Sequence, residues 1–133
     1  MFCLKFKHPL SNKRYHCSVL YHDQQNEDHP DFVVSEEIRT VLSRELPDYE
    51  LIGLPAPKVL RDDEGEWVDY TYVNHYLCNG GVVLCAFDDP NDQVAAAILR
   101  RVHPTRTVVL VDARPIFERG GGIHCITQQQ PCE

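Results

Sequence analysis

Apolar positions fall into short runs of strand character, interrupted by two stretches of helical spacing. Phe2, Leu4 and Phe6 alternate with Cys3, Lys5 and Lys7, and Pro9 with Ser11-Asn12-Lys13-Arg14 breaks that pattern. Residues 17–21 form a second short strand, and 22–30 a polar loop. A helix follows, with Ser35 as the expected N-cap, Glu36 and Glu37 in the first turn, and Ile38, Val41, Leu42 and Leu46 as one apolar stripe. Pro47-Asp48 ends it. Residues 49–54 read as a strand, stopped by Pro55 and Pro57.

The second half has a similar plan. After a charged turn over 61–66, residues 70–77 are rich in β-formers, with Asn74 in mid-strand. Asn79-Gly80 marks a hairpin, and 81–87 is the return strand. Asp88-Asp89-Pro90-Asn91-Asp92 starts a helix, with a capping acid and Pro in its first turn. Its buried face is expected to be Val94, Ala95, Ile98, Leu99 and Val102, and His103-Pro104 stops it. Residues 107–111 are too apolar to face water and are expected at the centre of a sheet. Residues 112–119 are a connector.

The order repeats. Val19-Leu20-Tyr21, a loop with Pro30, a helix and Glu50-Leu51-Ile52 match Val83-Leu84-Cys85, a loop with Pro90, a helix and Val108-Val109-Leu110. Two units, roughly 1–60 and 61–133, are therefore expected. Each is too small to bury its own face, which implies a larger closed assembly of such units.

Composition narrows the function more than the fold. The 133 residues are 43% hydrophobic and 25% charged, which is ordinary for a folded α/β chain of one domain or less. The net charge of -7 comes with no basic stripe, so no nucleic-acid partner is expected. No apolar run is long enough to cross a bilayer, and the N-terminal stretch lacks a signal-peptide core. No membrane partner is expected, and the six cysteines are read as free thiols in the cytoplasm.

The chemistry concentrates near the C-terminus. Gly120-Gly121-Gly122 runs into Ile123-His124-Cys125, and a Gln tract follows. Glycines permit a sharp turn and the close approach of another molecule. A cysteine on such an approach is a candidate nucleophile if its surroundings favour the thiolate. The alternative is a surface turn leading into a strand with an inert thiol. With residues 123–127 extended, His124 would point away from the partner space of Cys125 and would not be its base. Asn74 needs an amide partner if buried, so it is a candidate substrate or network residue. His75, Cys78 and Cys85 fit no common zinc spacing, and neither metal nor cofactor is expected.

The string from Gly120 to Pro131 resembles the C-terminal signature of the agmatine deiminases, within the bacterial-type peptidylarginine deiminase family of guanidino-group-modifying enzymes. The segment Tyr72-Val73-Asn74-His75-Tyr76-Leu77-Cys78-Asn79-Gly80 is similar to that family's Tyr-x-Asn-Phe-Tyr-x-x-Asn-Gly hairpin, with His75 where Phe is usual. Asp88-Asp89-Pro90-Asn91-Asp92 resembles its Gly-Asp-Pro-x-Asp helix start. The resemblance covers about 66–131 well, and 17–60 only in element order and in Leu54-Pro55-x-Pro57.

It implies a partial α/β propeller, about two ββαβ-type units of a five-unit ring. It also implies hydrolysis of agmatine to N-carbamoylputrescine and ammonia, in putrescine biosynthesis, with Cys125 as nucleophile. Gly120, Gly121, Gly122 and Asn74 would shape or bind the substrate, and a homodimer is possible. The family's Gly-His-x-Asp segment and its earlier acidic contact have no counterpart here. The expectation is therefore a C-terminal portion of a deiminase, weakly active by itself. The competing readings are a non-catalytic remnant or interaction module, and a protein-arginine deiminase.

Overall fold

The structure is a computed structural model that describes residues 2–6, 16–59 and 61–130, the first strand and His16 by backbone alone. The predicted break at Pro9 and residues 11–14, and the end of the signature at Pro131, lie outside these residues. The chain divides into two compact units, 1–55 and 56–133.

The first unit holds β1 (Phe2–Phe6), β2 (His16–Asp23), α1 (Asp31–Glu45) and β3 (Glu50–Pro55). β1 pairs antiparallel with β2, and β2 pairs parallel with β3, Val19 opposite Leu51, through the α1 crossover. Val19, Tyr21 and Leu42 form its buried cluster, with Leu46, Tyr49 and Leu51 packed on it.

Two expectations for α1 are corrected. The helix starts a turn before Ser35. Pro30 already has helical dihedrals, and the His29 ring accepts a hydrogen bond from the Asp31 N–H (3.1 Å). Ser35 faces inward instead, where its Oγ accepts from the Gln24 N–H (3.1 Å). The apolar stripe is also less buried than expected. Leu42 is buried, whereas Ile38 and Val41 join Val33 and Val34 at the surface.

The second unit repeats that topology with β4 (Tyr76–Cys78), β5 (Gly81–Ala86), α2 (Asn91–Val102) and β6 (Thr107–Asp112), followed by the single turn α3 (Arg114–Phe117). β4 is antiparallel to β5, and β5 is parallel to β6, with Val83 opposite Val109. Ala95, Ala96, Leu99 and Val102 are buried on α2. Val94, expected on that face, is exposed. Asp89 is the capping acid, its Oδ1 accepting from the Asn91 N–H (2.8 Å).

β6 is not central. It lies at one end of the order β4-β5-β6, with Val109 51% and Val111 41% exposed. Its apolar character is that of a buried strand, yet among the described residues no strand pairs with its outer edge. The expected strand over 70–77 is also corrected, since only Tyr76–Cys78 is in the ladder. Tyr72 leaves it because its side chain is wholly buried, with its hydroxyl donating to Asp92 Oδ1 (2.7 Å). The chain turns there, with the Asn74 N–H reaching the Thr71 carbonyl (3.4 Å).

Candidate active site

The connector before the glycines is fastened by aromatic packing. Phe117 of α3 meets Phe87 edge-on at 5.2 Å and Tyr70 at 5.5 Å, and Tyr70 stacks on Phe87 at 4.5 Å. Gly120 then leaves α3 at φ +89, a conformation that side chains disfavour, with its N–H on the Phe117 carbonyl (2.9 Å).

Residues 123–126 are not extended. Ile123–Ile126 is a 3-10 turn, closed by hydrogen bonds from Cys125 N–H to the Gly122 carbonyl (3.1 Å) and from Thr127 N–H to the His124 carbonyl (3.3 Å). The strand alternation used to turn His124 away from Cys125 therefore does not apply. Gln128 and Gln129 fasten the exit: Tyr76 Oη donates to the Gln128 carbonyl (3.4 Å), and the Gln129 amide to the Leu77 carbonyl (3.2 Å).

Asn74 sits in a bend, not in mid-strand, and joins the two halves of this site. Its Nδ2 donates to Cys125 Sγ (3.4 Å), and its Oδ1 accepts from the His124 N–H (2.8 Å). A donor on the sulfur favours the thiolate. The Asn74 amide first, then the Gly122 backbone, lower the pKa of the exposed Cys125 thiol from its ordinary value. Of the predicted site residues, Cys125, Gly121, Gly122 and Asn74 thus come together, and Gly120 supplies the turn into them.

Gly122 leaves no room for a side chain. A Cβ there would lie 2.5 Å from Asn74 Cγ. Gly122→Ala should push the amide off the sulfur and slow alkylation of Cys125 at pH 7 roughly threefold, as loss of one hydrogen bond to an exposed thiolate predicts. Iodoacetamide kinetics followed by peptide mass spectrometry read this directly.

An open pocket of about 380 Å³ adjoins the thiol, lined by Pro115, Ile116, Arg119, Gly120, Gly121, Cys125 and Ile126. Among the described residues no carboxylate lines it, so the pairing partner a guanidinium requires is not in this lining. His75 does not face it. It is wholly buried, with Nδ1 2.9 Å from the Tyr72 carbonyl oxygen, and burial holds its pKa down. A ring in the interior is what the usual Phe would supply. Cys85 is buried as well, its thiol donating to the Asn74 carbonyl (2.8 Å). Among the described residues no three His, Cys, Asp or Glu side chains are grouped to hold a metal ion.

Two similar ββαβ units, one of which sets an exposed thiol under an amide donor beside an open pocket, define an α/β chain with a candidate cysteine site. Its residues 15–131 match the family model of the Porphyromonas-type peptidyl-arginine deiminases, and the chain belongs to that family. It is 57% identical over 121 residues to a Streptomyces coelicolor protein named "Putative agmatine deiminase", covering 86% of this chain and 35% of that one. It is 41% identical over 113 residues to the agmatine deiminase of Pseudomonas aeruginosa strain UCBPP-PA14, covering 74% and 30%. The solved structure of the C. jejuni agmatine deiminase shares the fold, with a TM-score of 0.74 at 24% identity over 81% of this chain and 33% of that one. The chain thus spans about a third of the length of the relatives it matches.

Proposed function

We propose that this chain carries the cysteine nucleophile of an agmatine deiminase, an enzyme of putrescine biosynthesis in the cytoplasm. The observation that carries the reading is the Asn74 amide on Cys125 Sγ, beside a glycine turn within the family's signature string. Two relatives bearing the agmatine deiminase name support the substrate. In this reading the Cys125 thiolate adds to the guanidinium carbon of agmatine. Ammonia departs with a proton from a histidine, leaving a carbon–sulfur adduct. Water, activated by the same histidine, adds to that carbon, and the carbon–sulfur bond breaks to return the thiolate and release N-carbamoylputrescine.

The histidine and the guanidinium-pairing carboxylates would come from outside these 133 residues. The two units would be two of five in an α/β propeller, as the C-terminal portion of a deiminase domain. This chain by itself should release little ammonia from agmatine, because groups that act together lose most of the rate when some are missing. Turnover near that of a full-length enzyme in an ammonia-release assay would overturn this.

A second reading, an interaction module that folds against another chain or a second copy as a homodimer, draws on the exposed valines and open edge of β6. A haloacetamidine, which mimics the substrate head group, separates the two. Labelling of Cys125 ahead of the other five cysteines supports the deiminase, and labelling no faster than theirs supports the module. Peptidyl arginine as substrate is the least favoured reading, since the Gln128-Gln129-Gln130-Pro131 tail is that of the small-molecule branch.

A further inference from the structure

The thiol of Cys85 has no part in that chemistry, yet it lies directly behind it. Cys85 is on β5, fully buried, one residue short of the strand's end at Ala86. Its Sγ donates to the Asn74 backbone carbonyl at 2.8 Å. That side chain therefore grips the bend that carries the Asn74 amide. That bend is tied to the turn carrying Cys125 by Asn74 Nδ2 on Cys125 Sγ and by the His124 N–H on Asn74 Oδ1. Loss of this grip would leave the bend to its ties through Tyr72 and the Asn74 N–H, and would loosen the amide on the sulfur.

We infer that Cys85 is a positioning residue: its buried thiol, by donating to the Asn74 carbonyl, holds the Asn74 amide on the sulfur of Cys125. This rests on Cys125 being the nucleophile. Burial also raises the pKa of Cys85, so the thiol keeps the proton it donates. A serine at this position would keep an O–H donor, whereas an alanine of nearly equal volume would not. The pair separates the hydrogen bond from packing.

The test is the pH dependence of Cys125 alkylation by iodoacetamide, resolved by peptide mass spectrometry, in the wild type, Cys85→Ser and Cys85→Ala. Loss of one supporting hydrogen bond predicts that Cys85→Ala slows Cys125 at pH 7 roughly threefold and moves its profile to higher pH, while Cys85→Ser stays near the wild type. Wild-type behaviour in both variants, or an equal shift in both, would overturn the inference.

Should Cys85→Ala fail to fold, the infrared S–H stretch of the wild type decides. A band lowered by hydrogen bonding and lost in Cys85→Ser supports the role, and an unshifted Cys85 band overturns it. A wild-type Cys125 no faster than Cys17 or Cys78 would instead count against the nucleophile itself. A fast Cys125 that is indifferent to Cys85 would sink this inference alone.

Discussion

Asn74→Ala is expected to slow alkylation of Cys125 at pH 7 by roughly tenfold, because it removes two supports at once. The amide on Sγ is the largest influence lowering the thiol's pKa, so its loss raises that pKa and shrinks the thiolate fraction at any pH below it. The carboxamide oxygen also accepts the His124 N–H (2.8 Å), and without it the turn over Ile123–Ile126 loses its tie to the bend. The sign is testable. The deficit should be largest near neutral pH and close as pH rises above the thiol pKa of both proteins. A constant deficit across pH would mean that the mutation changed access to the sulfur and not its ionisation. Asn74→Asp should be slower than wild type too, since a carboxylate beside the thiol disfavours a second negative charge.

The element order was legible because it rests on local patterns, whereas Cys125 stood out as a candidate only through the glycine run and the resemblance of its string. Alternating runs gave β2, β3 and β5, and helical spacing with Pro and Asp gave α2. What local pattern could not supply was set by distant partners. Residues 70–75 have strand propensity, but Tyr72 is drawn to Asp92, twenty positions on, and the ladder begins only at Tyr76. The string at 123–127 reads as extended, yet it closes into a 3-10 turn once Asn74 takes the His124 N–H. β6 was legible as apolar but not as an edge, because composition reports which surface seeks cover and not which neighbour provides it. Cys85 carried no visible signal. Its partner is a main-chain carbonyl eleven positions away, and backbone partners leave no mark on side-chain spacing.

Asp92→Ala is expected to cost about 3 kcal/mol of stability, the largest loss anticipated for any single substitution outside the turn. The carboxylate lies in the first turn of α2, where the helix N-terminus favours it, and it is buried. It accepts the Tyr72 hydroxyl (2.7 Å), the Phe87 N–H (3.0 Å) and the Asp89 N–H (3.1 Å). Burial first, then this carboxylate, push the Tyr72 pKa up, so the hydroxyl keeps the proton it donates. Alanine would strip this acceptor from a fully buried hydroxyl and from two backbone donors, and a buried donor that loses its acceptor keeps the cost of leaving water. Urea unfolding would show a lower midpoint with an unchanged slope. Asp92→Asn, which retains one acceptor oxygen, should lose less than half as much. The consequence reaches the site, because Tyr72 lies two residues before Asn74 and anchors the bend that holds the amide on Cys125. Under conditions where Asp92→Ala is still folded, Cys125 alkylation should therefore slow as well. An unfolding cost with fully preserved Cys125 reactivity would show that the bend is held by Cys85 and the His124 N–H without help from Asp92.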